Sequence, residues 1–104
     1  METVTEIEIV FNESSLHWRR DYDYNKYFLL AQQNYFNNCL ATRGHVFLNE
    51  VFDALGMKRT TQGAISGWIG KSFIHFGIQN KSESEMVITL TFNIDGVIYD
   101  KIED

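Results

Sequence analysis

Residues 43–70, RGHVFLNEVFDALGMKRTTQGAISGWIG, constrain the fold most, because two apolar periodicities flank a glycine within them. Apolar residues recur at three- and four-residue spacing before Gly56, which predicts an amphipathic helix that ends there. After the turn, Thr60 or Thr61 is a suitable N-cap for a second, shorter helix that runs to Gly70. The apolar faces of the two predicted helices are Leu48, Val51, Phe52 and Leu55, and Ala64, Ile65, Trp68 and Ile69.

Two helices around a glycine turn also suggest a helix-turn-helix DNA-binding unit over residues 48–69. However, Phe52 stands where that motif requires a small residue, and Gln62 stands where an apolar residue is usual. Gly63 and Gly67 each cost about 1 kcal/mol in a helix, and we expect them to allow close contact with another helix. The acidic chain also lacks the basic footprint of a nucleic-acid binder. DNA binding is therefore the alternative function and is disfavoured.

Two elements precede this stretch. Residues 5–11 alternate apolar and acidic side chains, which predicts a half-buried strand with its glutamates toward water. From Tyr24 to Thr42 the spacing predicts a long amphipathic helix, capped by Asp21 or Asp23 and ended by Gly44. Its apolar stripe, expected to face the core, is Tyr24, Phe28, Ala31, Tyr35 and Cys39, widened by Tyr27 and Leu30. The amides expected to face water are Gln32, Gln33, Asn34, Asn37 and Asn38.

The remainder of the chain has the patterns of β structure. Residues 73–78 predict a short strand, residues 79–85 a polar exposed loop, and residues 86–92 a second alternating strand. The pair Asp95-Gly96 is typical of a two-residue hairpin turn, which would bring the segments on either side of it together.

The order of these elements predicts a single α+β domain over residues 1–104, an antiparallel sheet of about four strands with about three helices packed on one face. The net charge is −5, with the acids concentrated in the two terminal segments. Because these two segments are acidic, a variant of the function in which the protein mimics nucleic acid stays open. The acidic N-terminal stretch lacks the layout of a signal peptide, and no apolar run reaches the roughly 18–20 residues of a membrane span. We therefore predict a cytoplasmic protein.

We expect no enzyme activity, no metal and no cofactor. Cys39 is the one cysteine, which excludes an internal disulfide and a cysteine metal cage. His17, His45 and His75 are scattered among apolar residues at no metal-ligand spacing. A nucleophile pair of Cys39 and His45 is conceivable, but no local motif surrounds it. The glycines of residues 43–70 do not form a phosphate-binding loop.

Three runs of the sequence carry a resemblance to a known family. They are residues 27–69, which include RGHVFLNEVFDALG and RTTQGAISGW, then FIHFGI at 73–78 and LTFNIDGVIYDKI at 90–102. These runs resemble a family of short uncharacterised proteins of phages, prophages and mobile elements of Gram-positive bacteria. The resemblance covers about 80 residues, all but the N-terminal quarter. It implies a phage-type accessory protein that binds a bacterial or phage protein, and it assigns no site residue.

The leading hypothesis is a non-enzymatic module that binds an unidentified protein partner, modulating a host or phage protein, or that binds a second copy of itself. We expect the contact at the two helix junctions, with a tryptophan from the loop after the first strand as an anchor. The candidate interaction residues are Arg43, Lys58, Arg59, Thr60, Thr61 and Trp18. We expect neither a membrane nor a metal among the partners.

Overall fold

The computed structural model describes residues 6–82 and 87–102, without the side chains of residues 80–82. Within these residues the chain forms an α+β domain, as predicted, with two α-helices. The helices are α1 (Tyr22–Arg43) and α2 (Leu48–Leu55). The strands are β1 (Ile7–Phe11), β2 (His45–Phe47), β3 (Ser66–Ile69), β4 (Gln79–Ser82), β5 (Val87–Phe92) and β6 (Gly96–Val97). The predictions for Thr5, residues 83–85 and Met86 lie outside the described residues.

The described strands form two three-stranded antiparallel sheets, whereas the sequence predicted one sheet of about four strands. In the first sheet, β5 lies between β1 and β4. In the second sheet, β3 lies between β2 and β6. The two sheets share one core, because the ring of Phe92 on β5 meets Trp68 of β3 edge-on at 6.3 Å. The rings of Phe52 and Phe76 contact Phe92 in the same way at 6.0 Å and 5.2 Å.

The helix ends follow the predicted capping signals. Asp21 precedes α1 in an extended conformation, and its carboxylate accepts the backbone N–H of Tyr24 at 3.1 Å. Gly44 ends α1 with a φ of 90°, a left-handed conformation that glycine adopts without strain. The second helix, α2, is confirmed with all four of its predicted core residues buried, and Gly56 ends it.

The predicted third helix is wrong. Residues Gln62–Ala64 form one 3-10 turn, and Ser66–Ile69 is a strand that pairs with β2. The predicted apolar spacing there placed the tryptophan on a helix face, but Trp68 is fully buried on the strand. Gly67 does allow a close approach, although to a strand: a β-carbon there would collide with the carbonyl oxygen of Val46 in β2.

The predicted hairpin at Asp95-Gly96 is also wrong. Gly96 pairs with Gly67 of β3, so β6 belongs to the second sheet and does not fold back on β5. The Asp95 carboxylate accepts the backbone N–H of Ile69 and the hydroxyl of Ser72, each at 2.9 Å. Asp95 therefore holds the end of β3, and the stretch between β5 and β6 crosses from one sheet to the other.

Within residues 6–82 and 87–102, the segment 73–78 forms no ladder with another strand, although its side chains alternate as predicted. Ile74 and Phe76 are fully buried, whereas Phe73 and His75 are exposed. The strand in this part of the chain is Gln79–Ser82, where the sequence predicted the start of a loop.

Candidate interaction surface

The junction after α2 contains four of the six predicted interaction residues. The Arg59 guanidinium pairs with the Asp53 carboxylate, with Nε to Oδ1 at 2.9 Å and Nη2 to Oδ2 at 2.6 Å. These hydrogen bonds lower the pKa of Asp53 and raise the pKa of Arg59 from their ordinary values. Arg59 is therefore an ion-paired cation at the surface. Lys58 and Thr61 are exposed.

Thr60 stabilises the turn that follows the junction. The Asn49 carboxamide bonds to both backbone groups of Thr60, accepting its N–H and donating to its carbonyl at 2.9 Å each. The Thr60 hydroxyl oxygen accepts the N–H of Gly63 at 2.8 Å. Because its N–H, its carbonyl and its hydroxyl oxygen all bond within the chain, Thr60 has a structural role in this turn, even though the residue is exposed.

Arg43 and Trp18 lie near opposite ends of α2. The Nη2 of Arg43 donates to both carboxylate oxygens of Glu50, in the first turn of α2, at 2.7 and 2.8 Å. Trp18 is half-buried and packs against the core. Its loop reaches the other end of α2, where the N–H of Leu16 donates to the carbonyl of Gly56 at 3.1 Å. The structure thus brings the loop that contains Trp18 to Gly56, just before the junction, and places Arg43 at the other end of α2.

The helix-turn-helix geometry predicted as the alternative is not formed by residues 48–69. Thr60, Thr61 and Gln62 are exposed, but a strand follows them where a recognition helix would have to lie. Trp68 on that strand is fully buried.

The Cys39 and His45 side chains have separate partners. Interaction with the Cys39 thiol raises the pKa of Tyr35 above its ordinary value. The His45 ring meets the Phe47 ring edge-on at 5.6 Å. Among residues 6–82 and 87–102, no group of three or more His, Cys, Asp or Glu side chains could hold a metal ion. No helix in that part of the chain is long and apolar enough to cross a membrane.

The face that α1 turns toward the core differs from the predicted stripe. The fully or nearly buried residues of the helix are Asn25, Leu29, Phe36 and Leu40. Asn25 bonds to the backbone of Arg19, accepting its N–H at 2.9 Å and donating to its carbonyl at 2.7 Å. The predicted core residue Cys39 is only half-buried.

Two amides predicted to face water instead bind the backbone of residues 73–78. Asn37 accepts the N–H of Ile74 at 2.8 Å and donates to its carbonyl at 2.9 Å. Gln33 accepts the N–H of Phe76 at 2.9 Å. These side chains replace a neighbouring strand, because they satisfy backbone groups that would otherwise be buried without partners.

The opposite side of α1 is exposed and carries no charge from Tyr27 to Thr42. We call it the outer face of α1, and it consists of Tyr27, Leu30, Ala31, Asn34, Tyr35, Asn38, Ala41 and Thr42. Tyr27 is 70% exposed, Tyr35 57% and Leu30 36%. The predicted apolar stripe placed Tyr27, Leu30, Ala31 and Tyr35 in the core, and this prediction is wrong. No sequence signal distinguishes this face, because the sixteen uncharged residues also include the buried Leu29, Phe36 and Leu40.

A shallow, open hollow of about 280 Å³ lies beside the C-terminal half of this face. Its lining residues are Tyr35, Asn38, Cys39, Thr42 and Arg43. Arg43 is the one charged residue among them, and Glu50 already neutralises it. The hollow can therefore accept an apolar or aromatic group without stripping water from an unpaired charge.

The fold and this surface define a small α+β domain with an uncharged, tyrosine-bearing helix face. The model of a family of unknown function (DUF6353) matches residues 2–102, and the chain belongs to that family. A search of curated proteins and a search of solved structures each found no match.

Proposed function

We propose that the protein is a non-enzymatic interaction module that acts by binding another protein through the outer face of α1. In the same proposal it is an accessory protein of a phage or mobile element that works in the cytoplasm. The observation that supports binding is the uncharged face with its two exposed tyrosines, on a chain whose net charge is −5. The phage context is supported by the resemblance of residues 27–69, 73–78 and 90–102 to proteins of phages and mobile elements.

The chemistry of the outer face suits protein binding. Tyrosine is enriched at interfaces and among the residues that dominate binding energy, because its ring buries a large area and its hydroxyl keeps a polar handle. The cores of interfaces are poor in charged residues, and Tyr27 to Thr42 contains none. A helix also holds these side chains on a rigid backbone, which lowers the entropy cost of binding.

The junction after α2 lies outside the binding surface of this proposal. Arg43 and Arg59 each have an acidic partner, so another protein would have to compete with Glu50 or Asp53 for them. Lys58 and Thr61 are exposed but lie outside the outer face of α1, so this proposal assigns them no contact. DNA binding lacks the support of a recognition helix in residues 48–69.

The test compares captured proteins between two matched arginine variants. Ala31→Arg places a long cation in the outer face, and Thr61→Arg places the same side chain at the junction; both positions are exposed. Tagged full-length chains would be incubated with lysate of the bacterium that carries the gene, and captured proteins identified by mass spectrometry. We expect the wild type and Thr61→Arg to capture the same protein, and Ala31→Arg to lose it. Equal capture by all three chains, or capture by none, would refute binding through this face.

A further inference from the structure

We infer that a groove between the N-terminal half of α1 and residues 75–79 binds a small organic anion that also has an apolar ring or chain. We call it the Lys26 groove. Its volume of about 390 Å³ lies within the range of about 300–1,000 Å³ that is usual for small-molecule sites. The inference goes beyond the proposed function and does not depend on it, because neither Tyr27 nor Tyr35 lines this groove.

The groove follows from the way the chain holds residues 73–79. As far as Phe76, amide side chains of α1 bind the segment, and the last of them is Gln33, which accepts the N–H of Phe76 at 2.9 Å. Gly77 then takes a left-handed φ of 60°, and from Gln79 the chain is strand β4, paired with β5. The groove lies where the chain passes from the amides of α1 to this strand pairing. Both of its walls are therefore held in place before a ligand arrives, which lowers the entropy cost of binding.

The charge of the groove is positive. Lys26 is exposed and lines the groove, and no Asp or Glu is among the described residues that do so. The acid that precedes it by three residues on α1, Asp23, is exposed but is not part of the lining. Neither of the two ion pairs in the described part of the chain includes Lys26. A carboxylate or phosphate can therefore bind its ammonium group without displacing an acid of the chain.

Three further side chains supply hydrogen-bond donors. The Nδ1 of His75 accepts the N–H of Gly77 at 3.2 Å, so the ring carries a hydrogen on Nε2 in either protonation state. Gln33 uses its carboxamide oxygen to hold the neighbouring segment, and its NH2 group remains to donate. Tyr22 adds a hydroxyl to the lining. An ionised carboxylate or phosphate suits this set, because its oxygen atoms accept hydrogen bonds.

The groove also has an apolar surface. Leu30 and Ile78 belong to the lining, and Ile78 is half-buried against the core. The methylene stem of a lysine and the ring of a tyrosine, here Lys26 and Tyr22, extend such a surface. Apolar walls with a few polar groups are the usual lining of a small-molecule site. An inorganic ion would leave these walls uncovered, so the ligand that fits is an anion with an organic body.

The first experiment titrates the isotope-labelled full-length chain and follows its amide signals by NMR. The probes are phenyl phosphate and benzoate, which join a ring to a phosphate or to a carboxylate. The controls are benzyl alcohol, a ring without charge, and inorganic phosphate, a charge without a ring. We expect at least one probe to bind below about 10 mM and both controls to bind about tenfold more weakly than that probe. The signals of Gly77, Ile78 and the Gln33 side-chain NH2 should shift most.

The tighter of the two probes identifies the head group that the groove prefers. The inference is overturned if neither probe binds, if a control binds as tightly as the probes, or if the shifted amides lie away from the groove.

The second experiment separates the groove from the overall charge with two matched pairs of variants. Lys26→Gln should weaken the bound probe about tenfold. Lys71→Gln changes the net charge equally at an exposed lysine outside the groove and should leave the affinity unchanged. Leu30→Glu places an acid in the groove and should abolish binding, whereas Ala31→Glu, at the next residue and outside the lining, should not.

The amide spectrum of each variant also shows whether it is folded. An equal loss of affinity within either pair would mean that net charge determines binding, and it would overturn the inference. A folded Lys26→Gln that binds as tightly as the wild type would overturn it too.

Discussion

The two helices pack against the core through different kinds of residue. On α2, the four apolar residues at helical spacing are all buried, and the polar residues between them face outward. On α1, apolar and aromatic residues occur on both sides, and the inner side contains the buried Asn25 and the backbone-binding amides Gln33 and Asn37. When apolar residues lie on one side of a helix and polar residues on the other, the sequence alone predicts the buried face. When large side chains occur all round the helix, as in α1, the packing of the neighbouring elements determines which face is buried.

The largest expected difference between the helices is the cost of removing a ring. Phe52→Ala on α2 should lower the free energy of unfolding by about 3–5 kcal/mol, because it opens a cavity beside Phe92. Tyr27→Ala on the outer face of α1 should change it by no more than about 0.5 kcal/mol, since the ring is 70% exposed. Urea denaturation of both variants measures the two values. Similar costs would mean that Tyr27 is part of the core.

The next effect compares two adjacent asparagines on α1. Asn37→Ala should destabilise the fold by about 2–3 kcal/mol, because it leaves the N–H and the carbonyl of Ile74 without their partners. Asn38→Ala, on the outer face, should cost no more than about 0.5 kcal/mol. Urea denaturation gives the totals, and hydrogen exchange at the Ile74 amide should accelerate only in Asn37→Ala. An unchanged exchange rate would show that another group protects this amide.

The helix starts differ as well. Asp21→Ala should cost about 1 kcal/mol, because the side chain that caps α1 is removed. The N-terminus of α2 has no such side chain, and Glu50 in its first turn instead accepts the N–H of Phe47 at 2.8 Å. Asp21→Ser retains an acceptor and should recover most of the loss in thermal unfolding. If Asp21→Ser is no more stable than Asp21→Ala, the cap does not account for the effect.

The smallest effect concerns the pH dependence of the ion pair on α2. The hydrogen bonds from Arg59 lower the folded-state pKa of Asp53, so the carboxylate contributes stability above its unfolded pKa, about 3.9. That contribution disappears as the pH falls through the lowered folded value. The stability difference between wild type and Asp53→Asn should therefore be small at pH 7, shrink below about pH 4 and also shrink in 1 M salt. Asp100→Asn, at an exposed position, is the control for general charge effects. If the stability difference between wild type and Asp53→Asn grows on acidification, a lowered pKa of Asp53 does not account for it.

The features that the sequence predicted correctly depend on neighbours in the chain. The face of α2, the cap at Asp21 and the stop at Gly44 each follow from residues within a few positions of one another. The alternation of β1 is confirmed too, with Phe11 buried and Glu8 exposed.

The features that were wrong depend on distant partners. Ser66–Ile69 fits a helical spacing, but pairing with β2 makes it a strand. Asp95-Gly96 has a strong local turn signal, but the Asp95 carboxylate is held by the end of β3, so the chain does not turn back. In the candidate site, the sequence identified exposed cations but not their partners. Glu50 and Asp53 approach Arg43 and Arg59 only once α2 has formed.

The pairing of β1 with β5 also affects how the chain is made. During synthesis, Ile7–Phe11 emerges about 80 residues before the strand that will cover it. In the interval it is an uncovered strand edge, which another chain could pair with. The Phe28 ring of α1, which stacks on Phe11 at 6.0 Å, is the contact that can form much earlier. The long helix can therefore protect the first strand on the ribosome until β5 is complete.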